Sequence, residues 1–419
     1  MIVFELDSIS RVFLLSTNWR VSQDDKNKAG GILKTNQNLE QNNKNMTDLE
    51  QPVNLALQIT KLDLLKFIIP TVSAFIIGIL STPFIMKYIL VKHDIRKKKS
   101  VATTVDGKAA PLTASIDQDD KKVLYRMGGL AMLTGLLATA LGIWTISKLT
   151  GSSEFIKLDF ISRNQTWLPL FGLIVGATVG GIDELLVAGK FKGKFARSLG
   201  AGLALKFRII PVALVGIFCG WWMAIKQEAS SLHIPFFGNY DIPVLIFIGL
   251  FALVVMATYS GTIIDGVDGL SAGVFSSILM ALGFIAITQS KFDVATLCFA
   301  TVGALFAFLW FNIPPARFML SEVGSMALTI MIAIIAFITD SVLVLPIIAA
   351  PLYLTTLSVV LQLLSKKFRG KKIFLAAPIH IHFQLIGWPK YKVTMRYWII
   401  SIMFASTGVA TYLLGGNFR

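Results

Sequence analysis

The stretch VLIFIGLFALVVMATYSGTIIDGVDGLSAGVFSSILMALGFIAIT, residues 244–288, decides the fold. Two apolar runs, at 242–261 and 271–288, flank a short acidic turn, and each is close to the roughly 20 residues a helix needs to cross hydrocarbon. Neither run alternates polar with apolar residues. Inside a bilayer every backbone polar group must be paired within its own segment, so both runs are expected to be membrane-spanning helices. The turn between them, DGVDG, sets Asp265 and Asp268 at the membrane edge, where ionisable groups are costly and point to function.

The same pattern recurs outward in both directions. Apolar segments lie near 64–90, 127–148, 167–186, 207–225, 293–311, 323–339, 342–365 and 394–414. With the first pair they predict an all-α integral membrane protein of about ten transmembrane helices. Composition agrees: of 419 residues 54% are hydrophobic and only 15% charged, against about 25% charged in soluble domains. Residues 1–60 differ in kind. The tract KTNQNLEQNNKNMTDLEQ is polar and Asn/Gln-rich, which predicts a disordered extension ahead of a polytopic domain over 61–419, with Met46 an alternative start.

A net charge of +15 raises the question of nucleic acid, but the basic residues form clusters between apolar runs without interleaved stacking aromatics. No nucleic-acid partner is expected; the partner implied is the lipid bilayer. The connections at 92–126, 187–206 and 366–393 hold Lys97–Lys99, Lys190, Lys192, Lys194, Lys366, Lys367 and Arg369, whereas those near 149–166, 226–241 and 289–292 hold few. The basic connections are therefore expected in the cytoplasm, with both chain ends on the opposite side. Cys219 and Cys298 fall inside apolar runs and imply neither a disulfide framework nor a metal site.

Further acids stand at the same ends of the predicted spans. Asp183 and Glu184 close the third in VGGIDELL, and Glu322 opens the eighth in FMLSEVGS. His380 and His382 follow in AAPIHIHFQLIGWPKY, residues 376–391. If the helices bundle, these carboxylates and histidines converge at a cytoplasmic-face active site beneath a basic rim. Carboxylates so grouped repel unless a cation neutralises them, and Mg²⁺ is normally held by one or two carboxylates plus substrate phosphates. Asp265 and Asp268, three apart, are expected to share a helix face, while Gly266 and Gly269 allow close approach. Plainer readings exist for each motif. An Asp-Glu pair suits a solvated helix end, DGVDG is ordinary turn chemistry, Glu322 suits a helix N-terminus, and the histidines lack the i, i+4 spacing of a zinc pair. Only coincidence in space separates the two sets of readings.

Taken in order, MGGLAML (127–133), GGIDELL (180–186), IDGVDGLSAG (264–273), FLWFNIPPARFMLSEVGS (308–325) and APIHIHFQLIGWPKYKVTMRYWIIS (377–401) resemble the polyprenyl-phosphate N-acetylhexosamine-1-phosphate transferases. The likeness covers roughly residues 64–414, and the histidine motif with its Gly-Trp-Pro continuation resembles the branch that uses UDP-N-acetylmuramoyl-pentapeptide. The resemblance implies an enzyme that transfers the sugar phosphate to polyprenyl phosphate with Mg²⁺ and releases UMP. It also implies a homodimer. In it Asp183, Glu184, Glu322 and His380 match catalytic positions, with the first three toward the metal. Asp265, Gly266, Asp268, Asn312 and His382 match substrate-binding positions, and Lys190 and Arg126 stand in for lost basic neighbours. Glu184 and Glu322 replace aspartates of the family, and Ile381 its middle histidine. Those departures keep two alternatives open: a sister transferase for another UDP-amino sugar, and a non-catalytic homologue that binds polyprenyl phosphate.

Overall fold

The computed structural model describes residues 61–95, 124–161, 164–188 and 205–416. The expectations for residues 1–60, Met46, Lys97–Lys99, Lys190, Lys192 and Lys194 lie outside the described residues.

The described residues are almost wholly helical. Helix α1 (Lys61–Ile85) is prolonged by a π-helical turn to Val91, and α2 covers Gly129–Thr150. The short α3 (Ser153–Leu158) leads into α4 (Asn164–Val187). Helix α5 (Leu205–Trp221) ends in a π-helical turn to Lys226 and is followed by a hairpin of β1 (Ser231–Ile234) and β2 (Gly238–Asp241). Helix α6 (Val244–Tyr259) tightens into a 3₁₀ turn over Ser260–Ile264, before α7 (Leu270–Thr288), α8 (Phe292–Asn312) and α9 (Ser321–Ile338). The last elements are α10 (Leu345–Ile348), α11 (Ala350–Arg369), α12 (Ile379–Leu385) and α13 (Lys390–Gly415).

Among the described residues nine helices are long and apolar enough to cross a membrane: α1, α2, α4, α5, α6, α7, α8, α9 and α13. The segment expected at 342–365 is not among them: it is divided into α10 and α11, and α11 is long enough but not apolar enough. The buried side of α11 is polar, carrying Thr355, Ser358, Gln362 and Ser365. Gln362 accepts the backbone N–H groups of Ile373 and Phe374 and donates to the Phe374 carbonyl, so this face holds a loop rather than lipid. Both sides of the break are packed: Ile348 abuts Gly408 in the second half of α13, and Leu352 abuts Gly261 in the 3₁₀ turn after α6.

Helix α9 is the axis of the bundle, with 94% of its apolar window buried, against 22% for α1 and α13 at the periphery. Its contact with α4 is made by glycines one turn apart. A Cβ on Gly172 would meet Ile334 at 2.4 Å, one on Gly176 the Ala327 Cα at 2.8 Å, and one on Gly180 the Glu322 carbonyl at 2.4 Å. In lipid, where no hydrophobic force drives apolar helices together, such small-residue stripes let backbones touch and supply the packing. The α2–α9 contact is equally close, since a Cβ on Gly129 would lie 2.4 Å from the Gly324 nitrogen. One turn beyond Gly180 come Asp183 and Glu184, so the glycine stripe sets these acids beside Glu322.

Candidate active site

Arg126, Asp183, Glu184, Asp265, Glu322 and His380, from five sequence regions, meet at one end of the bundle. A cavity of about 360 Å³ is lined by Arg126, Asp265, Gly266, Glu322, His380 and Lys390, with Thr262, Met319, Ser321 and Gln384 among its other walls.

Asp183 and Glu184 are both buried at the end of α4. Glu184 accepts Arg126 Nε–H at Oε2 and Arg126 Nη2–H at Oε1, the latter at 3.0 Å, and Oε1 also accepts the Glu322 backbone N–H at 3.2 Å. This fork is the strong, orienting form of the arginine–carboxylate pair. Asp183 Oδ2 lies 3.0 Å from Arg208 Nη2, and Arg208 Nη1 donates to Glu322 Oε1 at 3.0 Å. The other oxygen of Glu322, Oε2, is buried without a hydrogen-bond partner.

The DGVDG turn departs from the helix-face reading, because residues 265–269 precede α7 instead of lying within it. Asp265 and Asp268 accordingly do different work. Asp265 accepts Ser271 Oγ–H at 2.7 Å and the Ser321 N–H at 2.6 Å, which pins Ser321 at φ +60° on the threshold of α9. Burial raises the Asp265 carboxyl above its ordinary range, while the Ser271 and Ser321 donors oppose that rise. Asp268 lies outside the cavity wall and accepts the Ala316 N–H at 3.2 Å. Asn312 is likewise a brace: its Oδ1 accepts the Gly269 N–H at 2.8 Å and its Nδ2 donates to the Phe318 carbonyl at 2.7 Å. Gly269 itself has φ +74°, a conformation that favours glycine.

The two histidines also part company. His380 is 1% exposed, and the site for a Cβ on Gly266 is only 2.7 Å from its Nε2. Burial lowers its pKa to about 3, so the ring is neutral at pH 7, and its buried Nδ1 has no partner. His382 faces away from the cavity: its Nδ1 accepts the Leu375 N–H at 3.3 Å, with the rings of Phe374 and Phe383 beside it. Trp388 is clamped between the Phe383 ring, stacked at 4.7 Å, and the Arg396 guanidinium 4.0 Å above its centroid. These contacts hold the segment that follows α12, the helix carrying His380.

Two basic residues dominate the electrostatics, and one was missed. The sequence reading gives Arg208 no role. The signal was present, since it lies inside the Phe207–Lys226 span, where a charge points to function. Lys190 lies outside the described residues. The expected metal ligands Asp183, Glu184 and Glu322 are neutralised by guanidinium groups, and no trio of metal-ligating groups forms among the described residues. Glu184, with three hydrogen bonds already on it, is the least suited of the three as a metal ligand. Glu322 Oε2 is a buried acceptor in want of a cation or donor, and a Mg²⁺ held by one carboxylate and substrate phosphates fits it.

An acid cluster assembled from several spans of a helical bundle is the setting for the comparisons with known proteins. The family described as glycosyl transferase family 4 matches residues 166–340, which carry Asp183, Glu184, Asp265, Asn312 and Glu322. The phospho-N-acetylmuramoyl-pentapeptide transferase of Chlorobaculum parvum is 32% identical over 327 residues, covering 70% of this chain and 81% of the relative. Those of Pelagibacter ubique and Geobacillus thermodenitrificans are 30% and 29% identical, covering 82% and 68% of the chain and 91% and 82% of the relatives. The class is thus that of membrane-embedded phosphosugar transferases. Within it, the chain belongs to the phospho-N-acetylmuramoyl-pentapeptide transferase family, multi-pass bacterial membrane enzymes of peptidoglycan synthesis.

Proposed function

We propose that this chain transfers phospho-N-acetylmuramoyl-pentapeptide from its UDP conjugate to polyprenyl phosphate at the cytoplasmic face of the inner membrane. The observation that carries this reading is the meeting of Asp183, Glu184, Asp265, Glu322 and two arginines at one end of the helical bundle, in a chain of this family. An oxygen of the lipid phosphate attacks the sugar-linked phosphorus; the bond from that phosphorus to UMP breaks, and UMP leaves with its electron pair. Phosphoryl transfer needs positioning and charge neutralisation more than covalent help.

Arg126 and Lys390, on the cavity wall, supply positive charge to the diphosphate. Neutral His380 offers a ring nitrogen to a phosphate oxygen, and Gly266 leaves it room. Asp183 orients the acceptor rather than deprotonating it, because a phosphate monoester loses its second proton near pH ~6. Mg²⁺, held by Glu322 together with the substrate phosphates, would neutralise charge developing on the bridging oxygen.

The test is UMP release from purified protein given UDP-N-acetylmuramoyl-pentapeptide, polyprenyl phosphate and Mg²⁺. Release that needs all three is expected. Release with UDP-N-acetylglucosamine alone would make the chain a sister transferase, and no release together with no nucleotide binding would overturn the enzymatic reading.

A further inference from the structure

Arg208 holds a position that the reaction itself does not explain. It stands in the first turn of α5, yet its two terminal nitrogens reach separate helices: Nη2 to Asp183 at the end of α4 and Nη1 to Glu322 at the start of α9, each at 3.0 Å. A guanidinium that gives one nitrogen to each of two carboxylates occupies the place where a divalent ion bridging them would sit. The difference is one of size. Mg²⁺ draws its ligands to about 2.0–2.1 Å in octahedral order, whereas the guanidinium keeps the two carboxylates apart at hydrogen-bonding distance. With Arg126 committed to Glu184, two guanidinium charges face the three carboxylates, and Glu322 Oε2 is buried without a hydrogen-bond partner.

We infer that Arg208 is a resident counter-cation of the Asp183–Glu322 pair, which keeps divalent metal from binding the protein by itself. The inference rests on reading this cluster as the transfer site, and it limits metal entry to the occasion when substrate phosphates supply further ligands. In the nucleotide-free protein the Asp183–Glu322 pair already holds one resident positive charge. Removing the guanidinium creates a two-carboxylate divalent-cation site.

The test needs no turnover. Full-length protein in detergent, without nucleotide at pH 8, is titrated with Mn²⁺ while free ion is followed by electron paramagnetic resonance. Arg208→Met is expected to bind one Mn²⁺ at least about tenfold more tightly than the native chain, a modest share of what one unit charge at ~4 Å is worth at an effective dielectric near 20. Arg208→Lys, which keeps a charge but cannot bridge both acids, is expected between them, and it carries the test if the methionine variant does not fold. Adding Glu322→Gln to either variant should abolish the gain. Tight binding by the native chain, no gain in either Arg208 variant, or a gain that survives Glu322→Gln overturns the inference. Because UMP release is scored separately on the native chain, a failed transferase assay with the Mn²⁺ gain present would sink the functional reading and spare this one.

Discussion

Replacing Arg126 by methionine should destabilise the fold chiefly through what it leaves behind. The Glu184 carboxylate is 0% exposed and takes two of its three hydrogen bonds from Arg126. Removing one partner of a buried ion pair costs about 3–5 kcal/mol, because the surviving charge stays buried without compensation. Arg126 is itself 27% exposed, so water reaches the vacated side and the lower end, about 3 kcal/mol, is expected. If that cost is an orphaned charge rather than lost packing, Glu184→Gln in the same background should recover roughly 2 kcal/mol. The glutamine carbonyl still accepts the Glu322 N–H, so that contact is not sacrificed. Denaturant titration in mixed micelles, run on the native chain, both single variants and the double variant, gives the cycle. Arg126→Met within about 0.5 kcal/mol of the native chain, or a double variant no more stable than Arg126→Met, would refute the reasoning.

Three further expectations concern the cavity. Glu322→Gln should abolish UMP release while the protein stays monodisperse; retained turnover removes Glu322 from the site. Gly266→Ala places a methyl 2.7 Å from His380 Nε2, and the displaced ring should lower turnover on the order of 10²-fold, read by steady-state kinetics, with unchanged turnover counting against His380. The unfolded chain protonates His380 near pH 6.5 and the folded chain only near 3, so the stability tied to its neutral ring is complete above 6.5 and drains away as pH falls toward 3. Asp265, whose folded pKa is raised, acts in the opposite sense, so the informative quantity is the difference between native and His380→Asn stability at pH 7.5 and 5. An equal loss in both proteins on acidification would refute the assignment to His380.

The sequence made the bundle legible because span length and apolar content are local properties. It also placed Asp183, Glu184, Asp265, Glu322 and His380 together, since span ends falling on one membrane face bring their residues to one level. It did not reveal which neighbour each side chain would choose. Arg208 resembles any basic residue at the end of a span, and its reach to two other helices is a tertiary fact. Asp268 and Asn312 read as ligand-binding residues, yet both hydrogen-bond to backbone N–H groups of the turns around the site. The polar face of α11 was hidden because Thr355, Ser358, Gln362 and Ser365 fall at helical spacing within an otherwise apolar run. Hydropathy averages across both faces and so concealed a helix with one polar side.

The glycine contacts of α4 and α2 with α9 have a corollary for how such a site evolves. With main chain pressed on main chain at Gly180 and Gly129, the anchoring points of Asp183, Glu184 and Glu322 cannot drift apart or together without prising the helices open. Any retuning of the acid centre must then be written in methylene units at the tips of the residues, which makes carboxylate length the dial by which this scaffold accommodates one counter-charge or another.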